Sequence, residues 1–498
     1  LFNVFEGING TRGHEGNSLL QKVLQHLTDN DILRMSAKHH IDPWSSTRWE
    51  KGQTGGSDDH AGLFVGHTWT WAMASSKEEF IDATRTGQTT PGGRYGDYKG
   101  LAYAIYKIAH EYMKQKRVQS SGLSGLLSSI LFDAEGPSFR ERLFLRKLGF
   151  HQSTRDQITY RFLDGLRTIT QAAPHHDANW QINQAYGALG VLIDELTATI
   201  AKNLEDGIHG RSSQGILQYL SSAIPAIVFA APFVSTLHVL NKSRELHDEL
   251  SETFRLHPHD RAKRTLWFTD TFSDLNGVSV TLQEIDETAQ RNNSPVRLVG
   301  CPIRKEMDHP SARQMLKLPC VYEFTPDFYK AHTVRLPSIL KSLDLIAQTH
   351  PEKIVISTPG PVGLVGLIAA RLLNIPCTGI FHTDFAKQAE KVIEDSQVVG
   401  AVGHYINWFY SQMDEVLVPS QAYLTQLSDQ GLDRSRMKRF HRGLDTRFQH
   451  RDSATMETVR KRYFSGGRAT LFYAGRLEKE KNLDQLANLF AKLQEEAI

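Results

Sequence analysis

The sequence predicts an α/β protein in three parts, and three observations carry that reading. From residue 264 onward, short apolar runs rich in branched and aromatic residues alternate with helical stretches, the pattern of parallel βαβ units. Residues 101–255 read mostly as helix, and residues 1–100 are rich in Gly, His and Asp with short strand-like runs.

The 498 residues leave room for roughly three domains. Apolar residues make up 40% and charged residues 22%, ordinary for a soluble globular chain. A formal net charge of +2 gives no bulk electrostatic case for nucleic acid. Cys301, Cys320 and Cys377 are far apart and lack metal spacing, so buried thiols in a reducing compartment are expected. No internal repeat or low-complexity tract occurs.

In chain order, LFNVFE reads as a core strand from the first position, and no signal-peptide pattern follows it. TGGSDDHAG (54–62) places Asp58 and His60 at i and i+2. On a strand, period two aims both at one face, and carboxylate with imidazole suits Zn, Mn or Fe. The alternative is a polar loop with a capping aspartate. His39, His40 and His67 are expected to be ordinary surface or core histidines. LAYAIYKIAHEYMKQK, FRERLFLRKLGF and the run from Trp180 to Leu204 read as helices. Residues 215–240 hold two prolines, a glutamine and a histidine, and their apolar core, Ala223 to Val234, falls short of the about 20 residues a spanning helix needs. A buried helical hairpin or a re-entrant, interfacial contact is expected there.

The alternating region carries the most chemistry. WFTD, VRLVG, KIVIST, CTGIFHT, EVLVPS and LFYAG read as strands. After WFTD, Asn276 and Gly277 open a helix, where a missing side chain lets a ligand approach the backbone; a plain Asn-Gly turn is the alternative. KIVIST leads through a Gly/Pro loop into a helix that stops at Asn374-Ile375-Pro376. His382, Thr383 and Asp384 sit at the C-terminal end of a strand, the edge where open α/β sheets bind ligands. Ser420 can cap the helix after EVLVP. In LFYAGRLEKEKNLDQL (471–486), a strand meets a tight turn and a helix start. Arg476 and Lys481 stand beside the helix N-terminus, which suits an anion.

The ordered motifs HTDF, VLVPSQAYLTQL, RGLDTRF and YAGRLEKEKNL resemble the retaining GT-B glycosyltransferases of glycosyltransferase family 4, of the α-mannosyltransferase and sulfoquinovosyltransferase type. TDTFSDLNGVSVTL is similar to the first donor-side loop of that family, and the resemblance spans about 264–498. It implies a GT-B type pair of Rossmann-like domains, the first (264–440) binding acceptor and the second (441–498, incomplete) binding a nucleotide sugar, with UDP- and GDP-sugars as candidate donors. Gly475, Arg476 and Lys481 would hold the donor diphosphate, Asn276 and Gly277 would approach it from the opposite wall, and His382 would sit near the transferred sugar. Arg442, Gly443 and Asp445 would lie at the interdomain segment. The resemblance implies a hexosyltransferase that needs no cofactor for glycosyl transfer. Its acceptor would be a lipid or glycan, with peripheral membrane contact, a cytoplasmic location at the inner face of the membrane, and no nucleic-acid partner. The family's Glu-x7-Glu carboxylate pair has no counterpart before Ile498, so the chain is expected to be a fragment, inactive in transfer by itself.

A second resemblance covers about residues 1–97. TGGSDDHAG looks like the final Asp-x-His motif of PHP-type phosphoesterases, FEGINGTRG is similar to the strand before it and SKEEFIDATRTG to the helix after it. It implies that residues 1–100 are the C-terminal portion of a PHP-like α/β domain. Asp58 and His60 would then be two ligands of an incomplete Zn or Mn site whose other ligands would lie upstream. Residues 101–263 would be a helical connector. Two other functions stay open: a metal-dependent phosphoesterase, favoured by a complete histidine cluster upstream, and a non-catalytic membrane-associated scaffold, favoured if donor-loop substitutions cost no activity.

Overall fold

The computed structural model describes residues 2–43, 45–117, 123–133, 136–150, 154–208, 216–256, 263–272, 274, 276–302, 314–326, 333–392, 396–440, 452–464, 473–475, 477 and 481–496. The chain divides into two units. The first comprises Leu1–Phe324, Thr333–Ile356 and Gly360–Cys377, and the second Thr325–His332, Ser357–Pro359 and Thr378–Ile498.

The first unit opens with β1 (Val4–Asn9), α1 (His14–His26), α2 (Asp29–His39), β2 (Gly52–Gly56), β3 (Thr68–Trp71), α3 (Lys77–Arg85) and β4 (Thr90–Gly93). β1 and β2 pair in parallel, β3 and β4 antiparallel. Thr28 and Asp31 form a reciprocal capping box on α2, and Ser76 caps α3 through the Glu79 N–H. The strand expected to carry Asp58 and His60 on one face ends before either residue. The ladder runs out at the pair Asn9–Gly56, and Asp58 turns into the left-handed region at φ 46°. Period two therefore does not govern the two side chains.

Helices follow as expected: α4 (Tyr98–Gln115), α5 (Leu123–Phe132), α6 (Phe139–Phe150), α7 (Thr154–Ala172), α8 (Ala178–Ile208), α9 (Ile216–Asn241) and α10 (Arg244–Thr253). Leu126, Ile130, Leu163, Leu166 and Phe229 lie in their common core. The hairpin expected over 215–240 is instead the single helix α9, despite Pro225 and Pro232. Ala226, Phe229, Ala230, Phe233 and Leu237 recur at helical spacing and are buried. Packing of that stripe outweighs the ladder bonds the prolines forgo. Among the described residues, no helix is long and apolar enough to cross a membrane.

The remainder of the first unit is β5 (Thr265–Phe268), α11 (Gly277–Arg291), β6 (Val296–Gly300), β7 (Leu316–Lys317), β8 (Cys320–Phe324), β9 (Val334–Pro337), α12 (Ile339–Gln348), β10 (Lys353–Ile356) and α13 (Pro361–Leu372). Four strands form a parallel array in the order β7-β6-β5-β10. Leu266, Phe268, Leu298, Val299, Ile354 and Ile356 are buried in it, the near-continuous apolar pattern of a sheet covered on both faces. The chain leaves β5 toward β6 on one side and returns to β10 on the other, a topological switch point. A polar cluster joins the helices to this sheet region. Tyr98 Oη donates to Asp344 (2.8 Å), Lys99 Nζ donates to the same carboxylate (2.8 Å), and Tyr186 Oη donates to the Leu340 carbonyl (2.9 Å).

The second unit holds β11 (Cys377–Ile380), α14 (Phe385–Val392), α15 (Ser396–Ser411), β12 (Glu415–Val418), α16 (Gln421–Asp429), β13 (Met437–Arg439), α17 (Ser453–Tyr463) and α18 (Leu483–Glu496). β11, β12 and β13 are parallel neighbours. The expected strand at 471–475 begins outside the described residues, and its described residues Tyr473, Ala474 and Gly475 are not assigned to a strand. The α/β expectation holds, with parallel strands alternating with helices in a Rossmann-like manner. Of the three thiols, Cys301 and Cys377 are buried as expected but Cys320, at the start of β8, is exposed. A thiol–thiol hydrogen bond between Cys301 and Cys320 pushes the first up and the second down from the ordinary range.

Candidate functional site

In the first unit, the switch point brings the C-terminal ends of β5 and β10 side by side. The turn after β5 is folded by Thr269, whose hydroxyl donates to the Thr271 carbonyl (2.8 Å) and accepts from the Thr271 N–H (3.1 Å). Asn276 then caps α11: its Oδ1 accepts from the N–H groups of Val278 and Ser279, both at 2.9 Å. Gly277 is the first helical residue, and a Cβ built on it would meet nothing within 4 Å. The expected helix start is therefore present, with open space where a side chain on its glycine would lie. Phe272, Leu282, Leu298 and Met315 form the buried floor beneath.

The neighbouring helix start is arranged differently. Asp270, directly after β5, accepts from the Val362 N–H (2.7 Å) and the Gly363 N–H (3.3 Å) at the N-terminus of α13. Gly360 lies so close that a Cβ would fall 2.5 Å from the Asp270 carboxyl carbon. The protein thus supplies its own anion to this helix dipole. Sequence reasoning saw Asp270 only as the end of a strand. Its signal was the combination of a carboxylate after one strand and a Gly360-Pro361 helix start after another.

In the second unit, His382 stands two residues beyond β11, half-buried. Its Nε2 lies 3.1 Å from the Ser357 hydroxyl, and its ring meets Phe440 edge-on with centroids 6.0 Å apart. These partners hold the imidazole in one orientation. Asp384 accepts from the Lys387 N–H (3.1 Å) and from Gln426 Nε2 (2.8 Å), so it organises the start of α14. Tyr405 Oη donates to the Pro359 carbonyl (2.7 Å), which steadies the segment that carries Ser357. Ser357 and Phe440 had no individual mark in the sequence.

Gly475 is exposed, with the Tyr473 hydroxyl 2.5 Å from where its Cβ would be. Lys481 is exposed just before α18. Arg476, Arg442, Gly443 and Asp445 lie outside the described residues. Asp58 and His60 do meet, but inside one turn. Asp58 accepts from Asn9 Nδ2 and Thr11 Oγ1, both at 3.1 Å, and His60 Nδ1 lies 3.0 Å from the Asp58 carbonyl. Among the described residues, no group of three or more His, Cys, Asp or Glu could hold a metal ion. The capping aspartate of this loop is Asp59: burial opposes its charge, but the N–H groups of Phe64 and Ala61 hold its carboxyl below the ordinary range.

Residues 275–448 match the family model described as Glycosyltransferase Family 4. The match covers well under half of the chain. It contains the open helix start at Gly277 and the oriented His382. A GDP-mannose-dependent alpha-mannosyltransferase of Mycobacterium tuberculosis is 29% identical over 32% of this chain and 39% of its own length. A protein of the same name from Corynebacterium glutamicum is 24% identical over 43% of this chain and 51% of its own. An alpha-monoglucosyldiacylglycerol synthase of Streptococcus pneumoniae is 22% identical over 46% and 52%. The chain thus spans about half the length, or less, of these curated relatives. Among solved structures, the Anabaena protein Alr3699/HepE in complex with UDP-glucose aligns over 40% of this chain and 49% of its own, at 16% identity and a TM-score of 0.29.

Proposed function

We propose that this chain belongs to a retaining glycosyltransferase that moves a hexose from a GDP- or UDP-sugar to a lipid or glycan acceptor. The observation that carries the reading is the family 4 match over 275–448, which contains both the Gly277 helix start and His382. The names of the mannosyltransferase relatives support a nucleotide-sugar donor, and that of the diacylglycerol-glycosylating relative supports a lipid acceptor. In this reading residues 264–440 form the acceptor-side domain and 441–498 belong to the donor-side domain.

The bond between the anomeric carbon and the diphosphate oxygen breaks, the acceptor oxygen bonds to that carbon on the same face, and the acceptor hydroxyl passes its proton to the departing diphosphate oxygen. Negative charge gathers on the departing diphosphate. Arg476 and Lys481 would neutralise it. His382 positions the transferred sugar by hydrogen bonding. Such preorganised groups contribute most where charge develops in the transition state. No metal or cofactor is invoked. The protein would work at the inner face of the cytoplasmic membrane, where a lipid acceptor is presented.

Nucleotide release from GDP-mannose and UDP-glucose tests this. His382→Ala is expected to lower turnover about tenfold or more while donor affinity changes less, and Arg476→Ala to lower turnover by a similar factor. If both variants keep turnover within about twofold of an active parent, or the parent protein releases nucleotide from neither donor, the reading fails.

A further inference from the structure

The helix α6 (Phe139–Phe150) presents a second kind of surface, far in sequence from the family 4 segment. Its inner side is set by Leu145, which is buried, and by Glu141, whose carboxylate accepts from the Ser138 N–H (2.7 Å) and from Ser129 Oγ (3.2 Å). At helical pitch, Phe139, Leu143 and Phe150 fall within about 40° of arc on the opposite side. They are 78%, 43% and 84% exposed. Arg142 and Arg146 flank this crest on one side and Lys147 and Arg140 on the other, all four exposed. The only acid of the helix is the one turned inward. Two largely exposed phenylalanine rings and a half-exposed leucine aligned between two cationic rims fit a helix that meets a partner surface.

We propose that α6 is an in-plane docking helix for an anionic lipid surface. The phenylalanines and Leu143 enter the boundary between headgroups and acyl chains, while the arginines and Lys147 extend sideways to lipid phosphates. Charge complementarity selects this occupant. A second copy of the chain meeting this face with its own would set four cations against four. A neutral partner would leave the rims without counter-charge. The inference is independent of the transferase reading, since it concerns a different part of the chain and needs no sugar donor.

The test is co-sedimentation of the protein with vesicles, without any nucleotide sugar. Vesicles of phosphatidylcholine with about a third phosphatidylglycerol should pellet the protein, pure phosphatidylcholine should hold little, and added salt should weaken binding. Phe139→Ser with Phe150→Ser should reduce binding about tenfold or more with an unchanged circular dichroism spectrum, because both side chains are exposed. Arg146→Gln with Lys147→Gln should weaken binding at low salt and have less effect at high salt. Three results would overturn the proposal: a parent protein that stays in the supernatant with anionic vesicles, a double phenylalanine variant that pellets like the parent, or loss of vesicle binding on adding an RNA oligonucleotide or on self-association through the crest.

Discussion

Two helix starts at the same switch point, α11 and α13, solve one problem in opposite ways. Both have a glycine at the entry and both point a dipole toward the C-terminal edge of parallel strands. At α13 the Asp270 carboxylate fills the position, and Gly360 is required because the carboxylate occupies the space a side chain would need. At α11 the cap is a neutral amide oxygen, and a side chain at Gly277 would meet open space. The difference teaches that a glycine at a helix start has two meanings. One yields to an internal anion and is structural. The other keeps the backbone approachable from outside.

Five substitutions at four positions can break or sharpen that contrast. The largest effect is expected from Asp270→Ala, which strands the Val362 and Gly363 N–H groups; unfolding in urea should show a loss of about 1.5–3 kcal/mol. Gly360→Ala should cost about 1–3 kcal/mol, since the new methyl displaces the carboxylate. Were either change neutral in the urea midpoint, the internal-anion account of α13 would be wrong. Asn276→Ala removes a neutral cap and should cost about 1 kcal/mol, while Asn276→Asp should hold stability but repel a diphosphate, read out as weaker donor binding. Gly277→Ala should have the smallest effect on stability, a gain of about 0.4–1 kcal/mol because nothing opposes the methyl and the unfolded chain loses freedom. A drop in donor affinity alongside that gain would mark the opening as used. Unchanged affinity would make it a plain helix start.

Legibility in the sequence followed local pattern. Val296–Gly300 and Phe139–Phe150 were readable to the residue, because an apolar strand run and a charged helical run each carry their own period. The edge strand Met437–Arg439 was not, since only Met437 is buried and two basic residues hide the pairing. The hairpin β8 and β9 was missed because its residues are mostly half-buried and flank proline and polar stretches. The prolines of α9 suggested a break that tertiary packing overrode. Asp58 and His60 were read with strand period two, which requires a partner strand, and β1 ends at Asn9. His382 was legible from its place at a strand end; its partners Ser357 and Phe440 lie just past the ends of β10 and β13 and needed the fold.

The cluster around Asp344 bears on inheritance. Its carboxylate takes one hydrogen bond from Tyr98 and another from Lys99, while Tyr186 anchors to the carbonyl of Leu340. Genes of multidomain proteins diversify by recombination, and a crossover near residue 263 would pair these strands with a foreign helical segment. Asp344 would then keep its half-buried charge and lose both donors, a fault far more damaging than a changed surface loop. The helices from 98 to 186 and the strands from 265 onward should therefore descend together as one heritable block. A phylogeny computed separately for the two stretches should return the same branching.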